Sequence, residues 1–197
     1  MGKLILVLGG ARSGKSTYAQ KLAGEITAGS GRVAYVATGV ACDDEMRARF
    51  EQHRRSRPPQ WATIETPTEV TQVIKKAGEE YAVMIVDCLT ILITNWLAER
   101  GQLEEPTESM VELEKAILGR VEDLVRAAKG AGATVIVVSN EVGLGVVPSF
   151  KAGRVFRDLA GLANQFIAHE ANEVYLMWAG IPQKIKGGGN EDARNKC

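Results

Sequence analysis

The chain has 197 residues, 45% of them hydrophobic and 24% charged, with 24 basic against 24 acidic side chains and a formal net charge of zero. That length suits one domain with a sizeable core, and the composition is that of an ordinary soluble globular protein. Balanced charge removes any global field that would recruit nucleic acid or an anionic membrane, and with no long basic tract or aromatic-interleaved basic stretch, nucleic-acid remodelling is the weakest functional class.

The first element is an apolar strand, Leu4–Leu8, too short for a signal peptide and running straight into Gly9-Gly10-Ala11-Arg12-Ser13-Gly14-Lys15-Ser16. This is the G-x-x-x-x-G-K-[ST] loop in its required setting, a strand before it and a helix, Ser16–Ala28, after it. Glycines let the backbone turn several N–H groups toward one anion, and the helix N-terminus adds about half a positive charge there. Lys15 is placed to reach the β/γ-phosphates and the Ser16 hydroxyl to ligate Mg²⁺. The sequence thus predicts a nucleoside-triphosphate site.

The second strand, Val33–Ala37, precedes the least ordinary stretch. Asp43-Asp44-Glu45 makes an acidic first turn for a helix predicted from about 44 to 56, stopped by Pro58-Pro59. On it Arg49, His53 and Arg57 are spaced i, i+4, i+8, with Arg54 adjacent. Flanking positive charge keeps an imidazole neutral, and a neutral imidazole is a competent nucleophile toward phosphorus, the arginines holding the phosphates it attacks. On the pattern alone, a solvated basic face with an incidental histidine is the preferred account.

A weaker strand, Ala62–Glu65, follows. Ala82–Ala98 is apolar and nearly long enough to span a bilayer, but Asp87, Thr90, Thr94 and Asn95 interrupt it. It reads as a buried strand, Ala82–Val86, followed by a helix, Leu89–Glu99, with no membrane span. Asp87 at the strand end sits where an acid would hold Mg²⁺; capping the following helix is the rival role.

Met110, Leu113, Ile117, Val121 and Leu124 mark a long amphipathic helix over 107–129, whose charged outer face is read as solvated. Strand Thr134–Val138 leads into Ser139-Asn140-Glu141-Val142-Gly143, expected as a mobile loop facing the site. Glu141 there can orient a nucleophile or substrate hydroxyl, or equally cap a turn. Val155, Leu159, Leu162 and Phe166 mark a further helix, on whose surface His169 has no assigned chemistry. Strand Glu173–Met177 and an edge strand near Ile181–Ile185 close the domain, 1–186; residues 187–197 are expected to be a disordered tail. Strands alternating with helices predict a mostly parallel sheet covered on both faces, a P-loop NTPase-type α/β fold. Cys42, Cys88 and Cys197 are odd in number, widely spaced and without a C-x-x-C pair, which argues against a zinc site or disulfide framework and fits a cytoplasmic protein.

Taken together, the 9–16 loop, Ala37-Thr38, Asp43-Asp44-Glu45-Met46, His53 before Arg57-Pro58, Trp61 with Glu65, Thr94-Asn95, Ser139–Gly143, Val147-Pro148, Phe156-Arg157-Asp158 and Asn164-Gln165 resemble one family in order. It is the bifunctional adenosylcobinamide kinase / adenosylcobinamide-phosphate guanylyltransferase family of cobalamin biosynthesis, matched over about residues 3–186. The resemblance implies two reactions: phosphorylation of adenosylcobinamide by ATP or GTP, then transfer of GMP from GTP through a guanylylated histidine to adenosylcobinamide phosphate. It puts the guanylylated histidine at His53, reversing the preference drawn from spacing. It also implies GTP contacts from Gly9, Gly10, Ala11, Arg12, Ser13, Gly14, Lys15 and Ser16, from Thr38, Gly39 and Val40, from Arg54, Arg55, Ser56 and Arg57, and from Glu65 and Asp87. Ser16 and Asp87 would hold Mg²⁺, and a homotrimer is implied. Some members carry paired histidines where this chain has Gln52-His53, and some carry Glu where it has Asp87.

Because a P-loop usually presents the γ-phosphate while His53 must reach the α-phosphate, either GTP takes two poses or helix 44–56 moves, with Gly39 and the proline pair as hinges. Two rivals differ in what they would show: a simple metabolite kinase would form no covalent GMP adduct, and a regulatory nucleotide switch would show no acceptor-stimulated turnover.

Overall fold

The computed structural model describes residues 2–28, 31–40, 44, 51, 54–55 and 57–187. A seven-stranded sheet runs in the order β3-β2-β4-β5-β1-β6-β7. Its strands are β1 (Leu4–Gly9), β2 (Val33–Ala37), β3 (Ala62–Glu65), β4 (Val83–Asp87), β5 (Thr134–Asn140), β6 (Glu173–Trp178) and β7 (Ile181–Lys186). Every pairing is parallel except the β6–β7 hairpin. The helices are α1 (Lys15–Thr27), α2 (Val70–Ala77), α3 (Leu89–Glu99), α4 (Met110–Gly130) and α5 (Lys151–Glu170).

Strand side chains alternate between two apolar layers, as a pleat requires. Leu4, Leu6, Leu8, Met84, Val86, Val135 and Val137 pack with α2 to α5, whereas Ile5, Val7, Val83, Ile85, Ile136 and Val138 pack with Ala19 and Ala23 of α1. Both faces are covered, which explains why the central strands read as unbroken apolar runs. Helix α3 buries Leu89, Leu92, Ile93, Trp96 and Leu97, one stripe at helical spacing.

Boundaries differ from the sequence reading where polar groups intervene. Helix α4 starts at Met110, because Gln102 Oε1 takes the backbone N–H groups of Thr107 and Glu108 at 2.7 and 3.0 Å, holding them in a loop. A capping box between Ser109 and Glu112 then opens the helix. Helix α2 was not anticipated: its core face consists of just Val70 and Ile74, too short a period to see. Asp44, Glu51, Arg54 and Arg55 are helical; the rest of the predicted 44–56 helix, His53 and Ser56 included, lies outside the described residues, as does the tail from 188. Among the described residues no helix is long and apolar enough to cross a membrane.

The parallel registers bring Gly9, Asn140, Asp87, Ala37 and Glu65 to the same carboxyl edge of the sheet. In open α/β sheets that edge is where ligands bind.

Candidate nucleotide-binding site

The 9–16 loop is clamped from both sides. Glu141 N–H donates to the Gly9 carbonyl at 3.0 Å from the β5 side, and Gly180 N–H in the β6–β7 turn donates to the Ser13 carbonyl at 3.0 Å. Gly9 is needed for close approach, since a Cβ there would stand 2.6 Å from the Met177 carbonyl oxygen. Gly14, at φ 91°, is the left-handed residue from which α1 begins. Helix α1 therefore points its first N–H groups, which have no partner inside the helix, into the loop. The Ser13 hydroxyl is buried with no hydrogen-bond partner among the described residues.

Lys15 is 7% exposed and lays its ammonium across this loop, donating to the Gly10 carbonyl at 2.5 Å. Burial pushes its pKa down, opposed by the Asp87 carboxylate; Cys88 beside it stays a neutral thiol, since burial raises its own pKa. A triphosphate entering here would add a much stronger stabilising charge.

Asp87 ends β4, and the rival role foreseen for it is not the one it takes: the N-cap of α3 is Cys88, without a side-chain cap. Instead its Oδ2 accepts a hydrogen bond from the Tyr35 hydroxyl. Burial, reinforced by the neighbouring Asp87 carboxylate, raises the Tyr35 pKa far above the ordinary phenol value, so the proton stays on the phenol and points at the carboxylate. Arg57 lies over the Tyr35 ring, its guanidinium carbon 3.4 Å from the centroid, and donates to Thr63 Oγ1 at 3.2 Å. Its Nε is buried without a partner among the described residues. Among the described residues there is no group of three or more His, Cys, Asp or Glu able to hold an ion. One carboxylate and one hydroxyl, Asp87 and Ser16, are the sparse donor set suited to an ion that keeps its waters and binds through nucleotide phosphates.

Tyr35 is the participant that sequence reasoning missed; its one signal is a polar-tipped side chain inside the apolar run Val33–Ala37. Tyr35→Phe keeps the ring beneath Arg57 and deletes the donor to Asp87. The expected result is about tenfold weaker Mg²⁺ affinity in the nucleotide complex, from loss of a charge-assisted hydrogen bond worth roughly 1.5 kcal/mol that orients Asp87. Calorimetric titration of Mg²⁺ with a non-hydrolysable nucleotide checks it, and unaltered affinity would leave Tyr35 a packing residue.

The loop after β2 is anchored rather than free. Thr38 is fully buried, its N–H donates to the Asp87 carbonyl, its hydroxyl exchanges hydrogen bonds with Cys88, and its carbonyl accepts from Asn95 Nδ2. With its polar groups satisfied inside the protein, Thr38 acts by placing Gly39 and Val40. Asn95 also holds the Pro67 carbonyl, tying this loop to the one after β3. Arg54 lies 3.8 Å from Glu65 at the end of β3, and Arg55 lies 3.8 Å from Glu51; these exposed pairs contribute little stability but keep Arg54 at the site's edge. Of the two roles open to Glu141, its carboxylate takes the turn-capping one, accepting from Gly143 N–H at 3.0 Å. His169 is exposed beside Glu170, away from the site.

The family profile described as cobinamide kinase / cobinamide phosphate guanyltransferase matches residues 5–185. The chain is 42% identical to the bifunctional adenosylcobalamin biosynthesis protein CobU of Escherichia coli, over 93% of this chain and 99% of that protein. It is 38% identical to the bifunctional adenosylcobalamin biosynthesis protein CobP of Pseudomonas aeruginosa, over 92% of this chain and 96% of that protein. Among solved structures it is similar to the flagellar accessory protein FlaH of Methanocaldococcus jannaschii, with 17% identity and a TM-score of 0.47, covering 95% of this chain and 79% of that one.

Proposed function

The chain belongs to the cobinamide kinase / cobinamide phosphate guanyltransferase family and is a bifunctional transferase of cobalamin biosynthesis, and we propose that both of its reactions run from the one nucleotide cradle at the carboxyl edge of the sheet. In the kinase step the side-chain alcohol of adenosylcobinamide attacks the γ-phosphorus of ATP or GTP; the new O–P bond forms, the β–γ bridge breaks and the nucleoside diphosphate leaves. This step asks the protein mainly for position and charge. Backbone N–H groups of the 9–16 loop and the Lys15 ammonium supply both. Ser16 and Asp87 would hold a Mg²⁺ ion that neutralises phosphate charge when bound.

In the second step a nitrogen lone pair of His53 attacks the α-phosphorus of GTP, a P–N bond forms and pyrophosphate departs. A phosphate oxygen of adenosylcobinamide phosphate then displaces the histidine, yielding adenosylcobinamide-GDP. Splitting the transfer in two spares the enzyme from bringing two large substrates together in one step. Arg54, paired with Glu65 at the site's edge, and Arg57, next to Tyr35, follow His53 in sequence and supply cationic donors for the triphosphate. Gly39, Val40, Arg55 and Ser56 complete the proposed nucleotide contacts.

The observation that carries this reading is the phosphate loop itself: left-handed Gly14 opens α1, Lys15 lies nearly buried across the loop, and Asp87 ends a strand at the same sheet edge. It is tested with the wild-type chain, Mg²⁺ and GTP labelled in turn at the γ- and α-phosphorus. Label is expected to pass from the γ-position to adenosylcobinamide and from the α-position to the protein in an acid-labile, base-stable bond; failure of both transfers would overturn the reading.

We also assign the enzyme to the cytoplasm and to a homotrimer. The edge hairpin β6–β7 exposes Trp178, Ile181 and Ile185, a strand edge of the kind that is covered in assemblies. Sedimentation at the mass of one subunit would remove the trimer.

A further inference from the structure

Three blocks singled out in the sequence have no side chain assigned to the nucleotide: Glu141–Gly143 after β5, and Arg157-Asp158 and Asn164-Gln165 on α5. They meet in one cleft of about 530 Å³, lined also by Leu8, the residue before the phosphate loop, and by Gly161. We infer that this cleft is the acceptor subsite, taking the hydroxyl-bearing amide arm of the corrinoid. The exposed loop 144–150 then lays its apolar side chains against the corrin ring. The inference rests on the function proposed above.

Position is the first argument. Phosphoryl transfer requires the acceptor oxygen about 3–3.5 Å from the phosphorus. The cleft abuts the loop covalently through Leu8–Gly9 and by the hydrogen bond from Glu141 N–H to the Gly9 carbonyl. Chemistry is the second. Cobinamide is fringed with carboxamides, each needing a donor and an acceptor when it leaves water. At the cleft Gln165 is exposed and presents both kinds, while Arg157 pairs with Asp158 Oδ1 at 3.0 Å, leaving Asp158 Oδ2 as a further acceptor. Asn164, by contrast, is buried and committed: its side chain accepts from Ser139 Oγ at 2.6 Å and donates to the Asn140 carbonyl at 3.0 Å, fixing the wall between β5 and α5.

The third argument is the lip. Leu144, Val146, Val147 and Phe150 are 60–95% exposed within seven residues, a concentration of apolar surface that marks a binding site. The lip is braced from below, since Arg154 Nη1 donates to the Pro148 and Ser149 carbonyls at 3.0 and 2.7 Å. Gly143, which lines the cleft, leads directly into this loop, so a corrinoid whose amide arm lies in the cleft has the apolar loop beside it for its macrocycle.

Gly161 allows a clean test. A Cβ there would meet no atom within 4 Å, and it sits inside α5, where Leu is a better helix former than Gly. Gly161→Leu is therefore expected to fill the cleft and leave the fold intact. Its KM for adenosylcobinamide should rise about tenfold or more, while guanylylation from α-labelled GTP, which needs no corrinoid, stays within about twofold of wild type. Val146→Asp, at a side chain 95% exposed, should weaken adenosylcobinamide binding in equilibrium dialysis without changing the oligomeric mass. Wild-type KM in Gly161→Leu overturns the cleft but leaves the function standing. A changed mass with intact corrinoid affinity in Val146→Asp assigns the lip to a contact between copies and overturns its role here. Absence of both adenosylcobinamide phosphorylation and α-label transfer in the wild-type chain overturns the function itself, a result separable from the other two.

Discussion

Lys15→Ala is expected to lower kcat about 10²–10³-fold in both phosphoryl transfer to adenosylcobinamide and guanylylation from GTP, the scale set by removing one preorganised electrostatic group. That range corresponds to roughly 3–4 kcal/mol of transition-state stabilisation. The ammonium is nearly buried and tethered to the Gly10 carbonyl, so it is already desolvated and aimed before nucleotide arrives. Little reorganisation is left for the reaction to supply. Burial works against its charge while the Asp87 carboxylate works for it, and a bound triphosphate shifts that balance decisively. Removing the side chain also removes an unfavourable buried charge, so circular dichroism and thermal unfolding should report a folded chain. The two assays together decide how many cradles there are. Equal losses mean that GTP sits in the 9–16 loop for both reactions; loss confined to phosphoryl transfer would place the guanylylation pose elsewhere.

The parts of this site that could be read from the sequence are those fixed by local chain geometry. A strand, a glycine-bearing loop and a helix N-terminus are contiguous, so residues 9–16 declare their chemistry without tertiary information. Asp87 was legible because an acid at the end of an apolar strand has few roles, and the structure removed helix capping from among them. Tyr35 was not legible, for a physical reason: in a parallel strand buried on both faces, one phenol changes neither length nor periodicity. Its significance depends on the register that sets β2 beside β4, pairing Ala37 with Asp87. The same holds for Arg57, whose place on the Tyr35 ring is a contact between elements no spacing rule connects. Glu141 stood between two roles in the sequence because its backbone and its carboxylate do different things. The N–H clamps Gly9 while the side chain closes a turn on Gly143. The cleft on α5 is legible as motifs but not as a site. Arg157, Gly161, Asn164 and Gln165 lie on one helix, and their partners, Leu8 in β1 and Glu141 just after β5, come from two neighbouring strands' ends that only the fold sets side by side.

His53→Asn is expected to abolish covalent labelling from α-labelled GTP and to remove guanylyl transfer, while the kinase reaction keeps its rate within about twofold. Asparagine preserves polarity and approximate size but has no basic lone pair to form the P–N bond, so the loss is chemical rather than structural. The separation is the informative part. Phosphoryl transfer to adenosylcobinamide draws on the 9–16 loop and Asp87, none of which the substitution touches, whereas guanylylation needs the α-phosphorus within reach of one imidazole. Arg54 and Arg57 follow that position by one and four residues and contact, respectively, Glu65 at the end of β3 and Tyr35 of β2 with Thr63 of β3. Those two strands carry the attachment from the histidine's segment back to Asp87, so Tyr35→Phe, made in the same assay, should slow both reactions where His53→Asn slows only one. An acid-labile, base-stable adduct in the wild-type chain, missing from His53→Asn and discharged by adenosylcobinamide phosphate, identifies His53 as the carrier. An adduct that persists in His53→Asn would move the nucleophile elsewhere and return this histidine to an ordinary basic surface.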